Sequence, residues 1–536
     1  MKRNFTLPKE RKYFLVPVMP TPNGRIHLGH MAGPYLKMDV LKRKVQRNNG
    51  IAFLCSGSDA YESYVELKAD QLKTTTNDVA NHFHDLIVKD FEAMNIKFDL
   101  FLNPMQTNLA QEFSRVYQDL LNELVSIGAC IEREERFYYD DQNKRFLTGC
   151  WLNGKCQNCG SDAGSYFCEN CGHHFKPQDI FSNERYPNAT ENVAPTLYLK
   201  LNKELLLKEA ERIQNGRFKL ILERYFSLQG PYVRLSTKQK TGIECINKTI
   251  KDQVIFTYTG LLFFSIFCGE VFKSEFAAER NPFDIDSDFV TCASFGIDNI
   301  IPFLTGVREG AVVLKNYKPY DGYLVNFFYH LDGQKFSTSR LHTIWGRDIV
   351  EVSKIQPDAV RYFLCKVNPE FEVNNFDSNL FIETVNKDLY REVNDEVQTA
   401  LSYLTQGHSY DLDDQLFLKI ENSIAYQDKF LEVDNFNLSG FIDPINDGVL
   451  FFKKMSDTEK RAKSYWWLKA FSYLAYPVMP NFSKSIWSLL DVDSEITSDN
   501  FFRNNTMVGR KEKIDFFKKI EFSDLAKSLP QNVLTK

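Results

Sequence analysis

The apolar positions along this chain change period three times. Tyr13-Phe14-Leu15-Val16-Pro17-Val18 is an unbroken apolar run, the pattern of a strand buried on both faces, and Pro20-Thr21-Pro22-Asn23-Gly24 is the turn that ends it. A helical pattern then covers about Ile26 to Arg47, the strand Ile51-Ala52-Phe53-Leu54-Cys55 follows, and further helices are expected around Asp78–Met94 and Leu109–Ile127. Alternating strands and helices of this kind predict one half of a doubly wound α/β fold in residues 1–125. Residues 126–245 break the alternation and read as an insertion. Across 246–357 the apolar runs Val254–Phe267, Val312–Leu314 and Tyr323–Tyr329 supply the missing strands and helices of the second half. From 358 to 536 the spacing becomes helical, through Leu401, Leu416, Phe451 and Tyr473, which predicts a helical bundle.

Composition narrows the class. The chain has 536 residues, 43% hydrophobic and 25% charged, enough for several domains with a sizeable core. A formal net charge of -5 excludes a generally basic nucleic-acid binder, while leaving room for a local basic groove. No apolar run approaches the roughly 18 residues of a membrane span, and Met1-Lys2-Arg3-Asn4-Phe5 lacks a signal peptide's apolar segment. The expectation is a cytoplasmic protein with no membrane partner.

Three stretches carry candidate chemistry. His27-Leu28-Gly29-His30 opens a helix directly after a strand and a tight turn, where free N–H groups and the helix dipole create an anion site. Two imidazoles three residues apart add donors on one face, and Gly29 allows a flat base or ribose to approach the backbone. Leu331-Asp332-Gly333-Gln334 predicts a hairpin turn that delivers Lys335, Ser337, Ser339 and Arg340 on a loop, a source of cationic charge for a triphosphate. Cys156-Gln157-Asn158-Cys159 and Cys168-Glu169-Asn170-Cys171 are two knuckles whose spacing suits a tetrahedral four-thiolate zinc site. Four thiolates leave no open coordination position, so the expected Zn2+ is structural. Disulfide pairing is the alternative, disfavoured in a reducing cytosol; Cys150, His173 and His174 lie close enough in sequence to serve as substitute ligands or to be bystanders.

With these residues in view, the chain resembles the class I aminoacyl-tRNA synthetases, whose two ATP signatures are His-Ile-Gly-His and Lys-Met-Ser-Lys-Ser in this order. The methionyl branch is the most similar: Pro22–His30, Gly57-Ser58-Asp59, Phe295-Gly296-Ile297-Asp298 and Asp358-Ala359-Val360-Arg361-Tyr362-Phe363 all have related stretches there. The resemblance implies a Rossmann-like doubly wound catalytic domain, a zinc-knuckle insertion and an α-helical, anticodon-binding-like bundle. It implies a ligase that uses ATP and Mg2+ to make an aminoacyl adenylate and then esterifies tRNA. His27, His30 and Lys335 would be catalytic; Gly29, Ser337, Ser339 and Arg340 would bind ATP. Met19, Thr21, Asp59, Phe256, Asp298 and Phe303 would surround the amino acid, methionine or a related apolar one, with Asp59 pairing its ammonium group. An Asp after Gly-Ser is equally suited to a turn cap.

Departures from the family pattern keep other readings open. Thr338 stands where the family has its second signature lysine, and Arg340 is a candidate to compensate. The pocket tyrosine, tryptophan and histidine become Thr21, Phe256 and Phe303 by alignment. In the bundle, Asp395 and Thr399 occupy the places of an asparagine and an arginine that read the anticodon, with Met455 near a third; an acid repels phosphates and only accepts hydrogen bonds. Trp466 and Trp467 could stack a base or belong to the core. A paralogue that passes the adenylate to a small molecule or peptide, and a non-catalytic nucleotide-binding relative, are the alternatives.

Overall fold

The computed structural model describes residues 11–164, 166–168, 170–338, 340–430, 435–490, 494–503, 506 and 516–534. The N-terminal stretch Met1–Phe5 and the signature-loop Ser339 lie outside the described residues.

Five parallel strands form the central sheet: β1 (Lys12–Pro17), β2 (Ile51–Gly57), β3 (Leu100–Leu102), β4 (Phe289–Gly296) and β5 (Gly322–Asn326). Their order is β5-β4-β1-β2-β3. β1 pairs with β4 through Val16↔Ala293 and with β2 through Leu15↔Leu54, so the chain reverses its winding beside β1. Helices cover both faces, which is why Phe14, Leu15 and Val16 are all buried. In such a sheet the crevice beyond the carboxyl ends of β1 and β4 is the place where ligands bind.

The helix after β1 differs from the continuous one expected. It begins at Leu28, with His27 as its N-cap, passes through a wide turn at Met31–Tyr35, and resumes as Leu36–Arg47. Pro34 has no N–H to donate, and Gly33 adopts ψ -112°, a conformation outside the helix. Gly33 also comes so close to Asn326 at the end of β5 that a Cβ would sit 3.1 Å from its side-chain nitrogen.

Other elements also split where the apolar pattern ran on. Val254–Phe267 resolves into a short strand, Val254–Ile255, and the helix Leu261–Glu275; Val312–Leu314 ends the helix Arg308–Leu314. Between β3 and β4 lies an antiparallel sheet built on Cys130–Asp140 and Ala189–Lys200, flanked by Arg145–Phe146 and Tyr232–Arg234. The hairpin Asn153–Lys155 with Asp162–Gly164 carries the first knuckle in its turn, and the second knuckle follows it. After Asp358 the chain is mainly helical, including Asn394–Tyr403, Asp414–Asp428, Ser439–Lys453, Asp457–Ala475 and Pro480–Leu490.

The segment Leu36–Arg47 ties these parts together through buried charge. Asp39 pairs with Arg43 and Arg361 at 2.7 Å each, Lys44 with Asp428, and Arg47 donates to Gln427 Oε1 and the Tyr473 carbonyl at 2.9 Å. Truncating one member of such a pair leaves an uncompensated buried charge, typically costing about 3–5 kcal/mol. The first signature is therefore held against the helical region by its own helix.

Candidate active site

The two signatures pack against each other at the carboxyl end of the sheet. Leu28 donates its N–H to the Ile344 carbonyl at 2.9 Å, and Gly346 donates to Ile26 at 3.0 Å. Asp332 and Gly333 take positive φ in the predicted hairpin turn, which aligns His330 with Lys335. Beyond it Ser337 and His342 exchange backbone hydrogen bonds at 3.0 Å, closing the loop. Phe336 stacks on His27 with 4.8 Å between centroids, and His27 stacks on His30 at 3.6 Å. Glycine is needed at two contacts: a Cβ on Gly29 would lie 2.8 Å from Phe336, and one on Gly24 would lie 2.9 Å from Thr338 Cγ2.

A reciprocal cap sets the tautomers of the imidazoles. His30 N–H donates to His27 Nδ1 at 3.2 Å, and His27 N–H donates to His30 Nδ1 at 3.4 Å. Each Nδ1 is thus an acceptor, which leaves the proton of a neutral ring on Nε2. Burial holds His27 well below the usual histidine range, with His30 and Lys335 adding to the effect, and brings His30 down to about 4. The pair offers neutral N–H donors at a helix N-terminus. Positive charge comes from Lys335, whose Nζ lies 4.8 Å over the Phe328 ring. Arg340 is exposed, with its backbone N–H on Ser337 Oγ at 3.4 Å.

Asp59 sits beyond β2 on the other side of the crevice, its N–H bonded to the Pro20 carbonyl at 3.0 Å. Burial and the nearby Glu62 push its carboxyl well above the usual range. Glu62 is itself satisfied, accepting from Ser63 Oγ at 2.7 Å, Tyr64 N–H at 3.2 Å and Tyr258 O–H at 3.1 Å. No described hydrogen bond or ion pair engages the Asp59 carboxylate, so a ligand ammonium would find an acceptor there. Met19 is buried at the end of β1 and Thr21 is partly exposed beside it. Phe256 packs on Tyr166 and Tyr258 at 5.0 and 5.2 Å. Phe303 instead stacks flat on Phe295 at 4.1 Å, inside the core behind β4. Asp298 lies over Gly296, where a Cβ would come within 2.4 Å of its Oδ1.

The four knuckle sulfurs lie within 4.8 Å of one another. Cys156–Cys171 and Cys159–Cys168 are separated by 3.7 and 3.5 Å, close to the roughly 3.8 Å edge of a tetrahedron with Zn–S bonds of about 2.3 Å. Asn158 and Asn170 donate to the sulfurs of Cys171 and Cys159 at 3.2 and 3.6 Å, the support a thiolate ligand receives. The residues fit a structural Zn2+. Cys150 stays outside the cluster, its Sγ on the Ser63 carbonyl at 3.4 Å. His174 turns away from the sulfurs, its Nε2 2.9 Å from the Asp298 carbonyl oxygen. The segment after the second knuckle thereby meets Asp298, and a cavity of about 40 Å³ beside it is lined by residues that include Tyr166, His174, Lys176, Arg234, Phe256 and Tyr258.

Three contributors, Tyr258, Glu62 and Lys37, were not among the residues expected from sequence. Tyr258 and Glu62 frame the approach to Asp59, and the only sequence signal was a second carboxylate three residues after Asp59. Lys37, fully buried, donates to Asn326 Oδ1 at 3.1 Å; burial lowers it to about 8 while Glu370 opposes the shift. In the helical region Asp395 is exposed and Thr399 partly so, one turn apart on the same helix. Met455 packs at the edge of the core. Trp466 and Trp467 are buried, donating to the Tyr410 and Gly448 carbonyls at 2.8 and 2.9 Å, and so are core residues.

The chain matches the model of the family described as tRNA synthetases class I (M) over residues 14–251 and 285–401. A methionine–tRNA ligase of Roseiflexus castenholzii is 28% identical over 400 residues, 69% of this chain and 65% of that protein. One from Thermococcus kodakarensis is 24% identical over 537 residues, 90% of this chain and 70% of the relative. The aligned part of this chain thus spans just under two thirds of the length of the first relative. In fold it is similar to Mycobacterium tuberculosis methionyl-tRNA synthetase bound by methionyl-adenylate, with a TM-score of 0.70, 15% identity, and coverage of 95% of this chain and 100% of that one. Sheet order, paired signatures and family match converge: the chain belongs to the class I tRNA synthetases of the (M) type.

Proposed function

We propose that this protein activates methionine, or a related apolar amino acid, with ATP and transfers it to tRNA in the cytoplasm. The observation that carries the reading is the joined pair of signatures, with neutral Nε2–H donors and Lys335 on one side of the crevice and, on the other, Asp59, which no described residue pairs. ATP enters with its Mg2+. Its phosphates meet the helix N-terminus, His27 and His30; Gly29, Ser337, Ser339 and Arg340 complete the nucleotide contacts, and Lys335 meets charge developing on the leaving pyrophosphate. The amino acid's ammonium group pairs with Asp59, and Met19, Thr21, Phe256 and Asp298 surround it, with Phe303 behind them against Phe295. Its carboxylate attacks the α-phosphorus in line, and positioning supplies most of the acceleration.

In this reading residues 1–125 and 246–357 are the two halves of the catalytic domain, 126–245 the insertion with its structural Zn2+ on Cys156, Cys159, Cys168 and Cys171, and 358–536 the bundle that meets tRNA. Amino-acid-dependent exchange of pyrophosphate into ATP, run over a panel of amino acids, tests the first step. Exchange with none of them refutes it. Exposed Asp395 favours a second acceptor reading, a small molecule or peptide in place of tRNA. A charging assay with methionine tRNA separates the two.

A further inference from the structure

Asp90 lies on the helix Thr76–Ala93, outside both signatures, and its side chain is fully buried. Four N–H donors converge on its two oxygens. Arg25 supplies Nε at 3.1 Å and Nη2 at 2.6 Å. The backbone N–H of Ile26 reaches Oδ2 at 3.2 Å, and that of Arg347 reaches Oδ1 at 2.9 Å. Arg25 and Ile26 lead directly into His27, whereas Arg347 lies just past the segment that leaves the second signature. The remaining Arg25 donor, Nη1, bonds Asp348 Oδ1 at 2.9 Å, and the guanidinium lies 5.5 Å over the Trp345 ring. Gly346 completes the junction: a Cβ there would come within 2.1 Å of Met31 Cε and 3.3 Å of the Asp90 carbonyl.

We propose that Asp90 is a positioning residue for ATP, a single carboxylate that clamps the run into the first signature to the run out of the second. This rests on the adenylation reading above. An ion pair kept for stability alone would need only Arg25. Here each oxygen also accepts a backbone N–H, one from each signature's flank, so the register of His27 and His30 against the Lys335 loop is fixed through one side chain. An amide cannot replace it, because one of its two atoms is a donor facing donors.

The test uses the full chain and the variants Asp90→Asn and Arg25→Gln. ATP·Mg2+ affinity is measured by calorimetry, tryptic cleavage at Lys335 and Arg340 is followed over time, and Tm is recorded for each protein. Asp90→Asn is expected to weaken ATP binding by about tenfold or more and to accelerate cleavage in the signature loop while Tm stays within a few degrees of the unaltered chain. Arg25→Gln, which removes three donors but leaves both backbone bonds, should fall between the two. Should Asp90→Asn fail to fold, Arg25→Gln is judged by the same two assays. Wild-type ATP affinity and wild-type cleavage in the folded variants overturn the proposal, as does a loss of affinity matched by a collapse of Tm. Failure of the unaltered chain to bind ATP would instead refute the adenylation reading, with the proteolysis still deciding whether Asp90 clamps the loop.

Discussion

Replacing Asp59 with Asn separates what this carboxylate does for the substrate from what it costs the fold. In the free protein the carboxyl is enclosed beside Glu62, Tyr117 and Tyr258, and burial raises it well above the usual range. No described cation offsets that burial. A charged hydrogen bond to an amino acid's ammonium group is worth about 1.5–3 kcal/mol, so losing it should raise KM for the amino acid roughly 10- to 150-fold, with KM for ATP little changed. The same logic gives a pH dependence. Binding needs the ionised carboxylate, so KM in the unaltered protein falls as pH rises through the raised pKa, and Asp59→Asn loses that slope. Stability moves the other way. The unfolded carboxyl titrates near about 3.9 and the folded one higher, so the native state binds the extra proton; its cost develops as pH rises from the unfolded value and is complete above the folded one. Asp59→Asn should therefore unfold at higher urea than the unaltered protein at pH 7, the difference vanishing below about pH 4. Pyrophosphate exchange at several pH values gives KM, and urea titration gives stability. An unchanged KM for the amino acid would refute the assignment of Asp59 to the ammonium group, whatever the stability result.

Purified protein should carry one zinc per chain, and Cys168→Ser should lose it with a lower Tm; elemental analysis that finds no metal in folded, reduced protein contradicts this. His30→Ala should lower the rate of adenylate formation by about tenfold or more. Because His30 lies down at about 4, the unaltered enzyme should show no inflection near 6.5 from this residue in its pH–rate profile. Thr338→Lys places a cation beside Gly24 and should speed exchange if the missing charge limits the rate; a slower variant means that contact matters more than charge. Changing the anticodon of methionine tRNA should alter charging little, since Asp395 and Thr399 cannot make the base contacts expected of Asn and Arg in those places, worth about 1–3 kcal/mol each; a collapse of charging at constant salt shows that other residues read it.

The parts of this protein legible from sequence are those whose physics is local. Tyr13–Val18 is apolar without interruption because β1 has neighbours on both edges and helices on both faces, and that demand falls on the segment itself. The same holds for the Asp332-Gly333 hairpin turn, where backbone conformation selects the residues, and for the cysteine knuckles, where chain spacing alone brings thiols together. The sequence after β1 predicts a continuous helix because its apolar period runs on through Gly33 and Pro34; the break lies in backbone geometry, and Asn326 at the far end of β5 occupies the space beside it.

Which polar groups meet is settled by how distant elements cross in the folded chain. Asp90, Arg25 and Arg347 are ordinary surface letters in the sequence, yet they close on one another across 65 and 257 positions. Trp466 and Trp467 had two uses open to them, and burial of both indoles with their N–H groups satisfied by carbonyls assigned them to the core. Lys37, Glu62 and Tyr258 became visible at the site in the same way. Hydrophobic periodicity records which face of an element leaves water. A buried ion pair or shared hydrogen bond leaves no period, because its partners are chosen by the crossing of elements far apart in the chain.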